Sequence, residues 1–352
     1  MVCGRTIRAM TWIIIAIPFL LSAWLTWRFA NPASRFYIVD HPNERSLHVR
    51  PTPRSGGIAI LFAVIAGSVL QMGWSGNPQG LSLWSGLALF VVATVSFLDD
   101  RYHVSVIHRL VSHIVAAGLL LVGGLSLQVI GFPGVDWIPS AWIGACLSLL
   151  FVVWMINMYN FMDGMDGFAG GMAVSGFVTF SIFGWLAGND QYATVNAATA
   201  AAAAGFLCFN FPPARIFMGD IGSSVLGLLA AAFSLWGARD GVFPFWVAVL
   251  VFSPFMADAT VTLLRRLWRR ETVWKAHKTH YYQQLVLAGW GHRKTVILEY
   301  MIMIGCGATA LWGSRLSGAV QAAMLVSWGV FYALFFFSVS RLAARGRRDS
   351  KG

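Results

Sequence analysis

Five carboxylates stand where chemistry could happen. Asp99 and Asp100 are adjacent at the end of one apolar stretch, Asp163 and Asp166 follow a second, and Asp220 follows a third. Neighbouring carboxylates at a helix C-terminus repel each other and meet the negative end of the helix dipole. They stay ionised only beside a cation, either Arg101 or a divalent metal ion. Mg2+ favours oxygen ligands and is commonly held by one or two carboxylates together with substrate phosphates. The plainer alternative is an exposed helix end with one arginine pair.

Residues that bind rather than react surround these acids. Asn157, Asn160, Asp163 and Asp166 recur at every third position, interrupted by Gly164 and Gly167. At that spacing amide donors and carboxylate acceptors line one side of a helical turn. A plain helix cap needs only one such residue. Further on, Pro212 and Pro213 break a helix after Asn210, and Asp220 opens the next between Gly219 and Gly222. A helix N-terminus offers free N–H groups to an anion. Asp220 could be its N-cap, although Phe217 just before it offers a ring for stacking on a base. Upstream, prolines stiffen the segment Pro51 to Gly57, where Arg54 and paired glycines suit phosphate. Downstream, His277 and His280 lack a third soft ligand for a metal. Hydrogen bonding to phosphate oxygens is the functional reading of this pair, and an ordinary surface pair is the bland one.

The elements that must carry these residues follow from composition. Of 352 residues, 57% are hydrophobic and 11% charged, against about 25% charged in a soluble domain. Mean hydropathy is +0.67. That balance excludes a disordered chain, a disulfide scaffold and an ordinary cytosolic enzyme. About eleven apolar stretches of roughly membrane-spanning length fall at 11–29, 56–73, 81–98, 107–129, 139–157, 168–187, 192–209, 221–237, 243–264, 295–313 and 318–339. The fold class predicted is therefore an all-α polytopic membrane protein. The connections are too short for a separate soluble domain, so 1–352 reads as a single integral-membrane domain. Its polar chemistry falls on connections 30–56, 99–107, 157–168, 210–222 and 265–294. Cys3, Cys146, Cys208 and Cys306 show no metal or disulfide spacing. The first apolar run lacks a cleavage site and reads as a retained span.

Charge then sets the orientation. All 25 Lys and Arg except Arg5, Arg8, Arg239 and Arg315 fall on one side of such a topology. By the positive-inside rule that side is cytoplasmic, with the N-terminus periplasmic and the C-terminus cytoplasmic. The net charge of +11 thus reflects topology, not nucleic-acid binding. The five aspartates all face the cytoplasm at the junction of water and hydrocarbon. This suits a reaction between a water-borne and a lipid-borne substrate. A transporter would place its ionisable groups near the midplane. Only Asp258 lies clearly inside a span, near its inner end, and its bland reading is a pair with an arginine or a helix end.

In this order, Pro51-Thr-Pro-Arg54-Ser-Gly-Gly57, Asp99-Asp100, Asn157 through Gly167, Asn210 through Ser223, and His277 to His280 resemble the motifs of the polyprenyl-phosphate N-acetylhexosamine-1-phosphate transferases of glycosyltransferase family 4. The resemblance implies attack by undecaprenyl phosphate on the β-phosphorus of a UDP-N-acetylhexosamine, releasing UMP with Mg2+ or Mn2+ present. It implies a bacterial inner-membrane enzyme surrounded by lipid, compatible with a homodimer. By that likeness Asp220 would be the principal metal ligand. Asp99 and Asp100 would bind metal, or position and deprotonate the lipid phosphate. Asn157, Asn160, Asp163, Asp166 and Asn210 would hold the nucleotide, and Phe217 would stack on its base. Arg54, Arg109, His277 and His280 would contact phosphate oxygens, the histidines catalytically. One departure stands out: many members have a histidine cluster where this chain reads His280-Tyr-Tyr-Gln283. That argues against UDP-MurNAc-pentapeptide and towards the branch that initiates O-antigen or other surface polysaccharides. No acid near His280 in the sequence would tie it down.

Overall fold

The computed structural model describes residues 2–42, 46–75, 83–272 and 277–349. Thirteen α-helices and two small hairpins follow in the order α1 (Val2–Phe29), β1 (Val39–Asp40), β2 (Thr52–Pro53), α2 (Gly56–Ser75), α3 (Leu83–Tyr102), α4 (Val106–Val122), β3 (Ile130–Phe132), β4 (Val135–Trp137), α5 (Ala141–Met162), α6 (Phe168–Leu186), α7 (Asp190–Asn210), α8 (Gly219–Arg239), α9 (Phe245–Val251), α10 (Ser253–Trp268), α11 (Tyr281–Leu285), α12 (Gly291–Gly313) and α13 (Gly318–Asp349). Both hairpins are antiparallel, β1 with β2 and β3 with β4. Lipid offers no partner to a free N–H or C=O, so helices that satisfy their own backbone are the form such apolar stretches take.

Among the described residues nine helical segments are long and apolar enough to cross a membrane, and α9 with α10 forms a tenth, bent by 76°. The eleventh expected span, 107–129, is shorter than its sequence suggested. Its helix stops at Val122 because Gly123 and Gly124 follow, with Gly124 at φ +83°. Seventeen residues reach only about 26 Å. The expected span at 243–264 is two helices, with Pro254 opening the second one residue past the break. The span expected from 295 begins slightly earlier, at Gly291, and a kink at Val286–Trp290, where Gly289 has φ +92°, separates it from α11.

Helix α8 is the axis of the bundle. Of its membrane-length window 94% is buried, against 17% for α13. It packs on α2, α3, α5 and α6, and small residues allow that, since dispersion needs close backbones where lipid supplies no hydrophobic drive. A Cβ on Gly57 of α2 would strike the backbone of Gly222 in α8. Small residues also line the buried face of α7, with Ala198 and Ala200 to Ala203 inside. The N-terminal end of α8 is the end at which the polar residues gather.

Candidate active site

A cleft of about 510 Å3 opens at that end, within the usual size for a small-molecule site. It is lined from eight directions, by the β1–β2 loop, α3, α4, the α5–α6 turn, the α7–α8 connection, α10, α11 and the start of α12.

Asp220 lies in the first turn of α8 with its carboxylate about one-third exposed. Asn160 Nδ2, from the last turn of α5, donates to Asp220 Oδ1 at 2.5 Å and to Ser223 Oγ at 3.1 Å. Arg109 of α4 bridges two acids, with Nη1 2.6 Å from Asp99 Oδ2 and 3.9 Å from Asp220 Oδ2. Asp99 also accepts the Val104 N–H at 2.7 Å. It is buried and does not line the cleft.

Asp100 has a different task. Its two oxygens accept the backbone N–H groups of Asp220 and Ile221, each at 3.0 Å. A helix N-terminus is a ready anion site, and here the protein fills it with its own carboxylate. Asp100 thereby fixes the turn that carries Asp220. Arg54 closes the arrangement, donating from Nη2 to the Asp100 carbonyl, with Nε 3.8 Å from Asp100 Oδ1. Arg54 is itself held in place because its N–H bonds Ile38 O at 2.8 Å and Phe217 N–H bonds Pro53 O at 2.7 Å. Gly219 makes the approach feasible: its φ is +74°, and a Cβ there would collide with the Arg54 carbonyl.

The α5–α6 turn supplies the other acids. Among the described residues no hydrogen bond or ion pair engages the Asp163 carboxylate, which lines the cleft. Burial pushes its carboxyl up to about 8, reinforced by the charges of Asp220, Asp100 and Asp166. Asp166 is fully engaged, accepting Ala214 N–H at 3.0 Å and facing His292 Nδ1 at 3.0 Å. Asn210 locks the turn from the side: its Oδ1 accepts Gly167 N–H and its Nδ2 donates to Ile216 O, both at 2.9 Å. Asn210 is therefore a clasp between two loops at the cleft's edge. Phe217 borders the cleft with the His48 ring packed edge-on at 4.8 Å.

Two expectations need correcting. Asn157 does not reach the cleft, because Nδ2 is taken up by His113 Nδ1 at 3.1 Å and Val153 O at 2.7 Å. His280 does have an acid beside it: Asp258, distant in sequence, lies with Oδ1 3.1 Å from His280 Nδ1. Asp258 also accepts the N–H groups of Tyr281 and Tyr282, so the helix-end pairing expected for it is present. His277 stacks beside His280 at 4.8 Å between ring centroids. Burial, with His280 and Arg266 nearby, pushes His277 down to about 4, so it is neutral at ordinary pH. Its Nδ1 accepts from Thr279 N–H, which places the ring proton on Nε2.

Sequence reasoning missed Asp40, His48, Tyr282, Gln283 and His292 as cleft residues. His292 had no readable signal, since it is the kink between α11 and α12 that brings it to Asp166.

The arrangement fits a divalent cation. Arg109 serves Asp99, the α8 N-terminus serves Asp100 and His292 serves Asp166, while Asp163 and Asp220 remain turned to the cleft. Among the described residues no three His, Cys, Asp or Glu side chains form a complete metal cage. Two carboxylates open to a cleft are what Mg2+ uses when substrate phosphates and water supply the rest of its shell.

Comparison with known proteins gives the family. The sequence signature of glycosyl transferase family 4 matches residues 82–238. The decaprenyl-phosphate N-acetylglucosaminephosphotransferase of Mycobacterium leprae is 31% identical over 332 residues, covering 85% of this chain and 83% of that protein. The chain belongs to this family. As a family 4 member it is a membrane phosphoglycosyl transferase. A probable undecaprenyl-phosphate N-acetylglucosaminyl 1-phosphate transferase of Bacillus subtilis is 30% identical, covering 75% of this chain and 74% of that protein. A phospho-N-acetylmuramoyl-pentapeptide-transferase of Geobacillus kaustophilus is also 30% identical, covering 71% and 80%.

Proposed function

We propose that this family 4 enzyme transfers an N-acetylhexosamine-1-phosphate from its UDP ester to undecaprenyl phosphate at the cytoplasmic face of the bacterial inner membrane. The products are undecaprenyl-diphosphate-sugar and UMP, and the role is initiation of a surface polysaccharide. The observation that carries this reading is the acid cluster at the mouth of the bundle, where Asp163 has no ionic partner among the described residues and Asp220 shares a single arginine with Asp99. Two anionic substrates would be repelled from such a cleft unless a cation joined them to it.

In the reaction an oxygen of the lipid phosphate forms a bond to the β-phosphorus. The bond from that phosphorus to the bridging oxygen breaks, and the oxygen leaves with UMP. A phosphomonoester has its second pKa near 6, so the nucleophile is largely dianionic at neutral pH and needs little help from a base. Asp99 and Asp100 accordingly serve by fixing Arg109 and the start of α8, with no proton transfer asked of them. Mg2+ bound at Asp220 and Asp163 would supply neutralisation of the diphosphate charge. Arg54, just after β2, and Arg109 of α4 hold phosphate oxygens, and Asn160 orients Asp220. Phosphoryl transfer depends on such positioning and charge stabilisation more than on covalent catalysis.

Tyr282 and Gln283 line the cleft beside Gly164. Neutral hydroxyl and amide groups there favour UDP-N-acetylglucosamine over the muramoyl pentapeptide donor. The deciding assay incubates purified protein with undecaprenyl phosphate, Mg2+ and a panel of labelled UDP-N-acetylhexosamines. Lipid-linked label with stoichiometric UMP supports the proposal, and product from UDP-MurNAc-pentapeptide alone would replace its donor. Absence of product with every donor would sink it.

A further inference from the structure

The His280 ring borders the cleft, yet only 4% of the residue is exposed. Something inside the protein must set which ring nitrogen carries its proton, because a buried imidazole cannot leave that to water. Asp258 is the group in place to do so. It sits in α10, beyond the 76° break, and is itself 4% exposed. Its Oδ1 lies 3.1 Å from His280 Nδ1 and accepts Tyr281 N–H at 3.1 Å and the Thr262 hydroxyl at 3.0 Å. Its Oδ2 accepts Tyr282 N–H at 3.1 Å.

We propose that Asp258 is the positioning residue of His280, locking the proton on Nδ1 so that Nε2 is the atom presented to the phosphorylated substrate. The inference rests on the functional reading above. A carboxylate only accepts hydrogen bonds, so a ring facing it must carry hydrogen on Nδ1. The hydrogen bond at one imidazole nitrogen decides the role of the other. Nε2 is the ring nitrogen that Asp258 does not engage, and the ring borders the cleft. Neutral His277, stacked alongside, has the opposite tautomer, with its proton on Nε2. The two rings therefore offer the substrate different edges. Asp258 also anchors the first N–H groups of α11, so the ring and the segment that bears it are placed by one side chain from a neighbouring span.

Capping alone and tautomer control are told apart at the ring. Both oxygens of Asp258 accept N–H groups of α11 and an amide has only one acceptor oxygen, so Asp258→Asn weakens the cap as well as removing the carboxylate that faces Nδ1. A merely structural Asp258 would then lose stability alone, whereas a positioning one loses kcat in the protein that stays folded. The expected result for Asp258→Asn in detergent or nanodiscs is a kcat lowered by about tenfold or more. KM for the UDP-sugar should stay within about twofold, while the melting temperature falls modestly with the weakened cap. Thr262→Val, which removes a bond to the same oxygen without touching the ring, should leave kcat nearly unchanged. Should Asp258→Asn not fold, the unmutated protein still decides. Its 15N-histidine spectrum, with the His280 signal assigned by its loss in His280→Gln, should show a protonated Nδ1. Wild-type kcat in a folded Asp258→Asn protein, or an unprotonated Nδ1 at His280, would overturn the proposal. If the unmutated protein forms no UMP from any donor, the functional reading fails instead, and the spectrum still reports on the pairing.

Discussion

Asp163 is the carboxylate with nothing beside it, and its titration is measurable. Its carboxyl is raised from 3.8 to about 8, so the folded protein holds a proton that the unfolded chain gives up. Stability is then fully present below about pH 4 and declines as pH climbs towards 8. In EDTA the melting temperature should fall over that window, and Asp163→Asn should flatten the slope. Mg2+ competes with the proton, so it should raise the melting temperature more at pH 8 than at pH 5. Equal stabilisation at both values would exclude Asp163 as a ligand. Asp220→Asn, by contrast, should abolish transfer in a folded protein, because losing a metal ligand removes several kcal/mol of transition-state stabilisation. Full activity of the unmutated enzyme in EDTA would defeat that assignment. The chain displayed all of these acids in its sequence, but not their partners. Asp99 meets Arg109 ten residues away, whereas Asp100 meets the start of α8 across 120 residues. Short-range pairs can be read from spacing, but an acid that caps a distant helix looks the same in sequence as one that binds metal.

Helices were legible wherever apolar length alone decides them, as for α5 through α8. They were misjudged where glycine or proline punctuates an apolar run, as at Gly123-Gly124 and Pro254. The clasp between α4 and α5 belongs to this scale. His113 and Asn157 join the two helices one turn from Arg109 and Asn160, the pair that grips Asp220. Asn157→Ala would leave His113 Nδ1 buried without its donor, a loss of about 1–3 kcal/mol. The expected phenotype is a lower melting temperature with KM for the UDP-sugar unchanged. A raised KM at unchanged stability would return Asn157 to the role that its motif suggested. Residues at every third position share a helix face only roughly, and here the first of the four turns to a neighbouring helix while Asn160 and Asp163 reach the cleft.

Every group assigned to the reaction sits at one end of the molecule, and the bundle's axis ties that end to a compartment. Helix α8 starts at Asp220 in the cleft and ends at Arg239. Its 21 residues span about 31 Å, close to the thickness of the hydrocarbon core, about 30 Å. Asp240 therefore lies on the opposite side from the cleft. The proposed donor is a cytoplasmic nucleotide sugar, and the proposed orientation, argued from the positive-inside bias, sets Arg54, Arg109, Arg265 and Arg266 on that side together with the cleft. A reporter active only in the cytoplasm should work when fused after Arg345 and fail when placed at Asp240. The converse fusion, with a reporter active only outside, should give the mirror pattern. If the two positions exchanged behaviour, the carboxylates would face a compartment without UDP-sugars. The transferase chemistry would then lack its donor, however well the cleft geometry suits it.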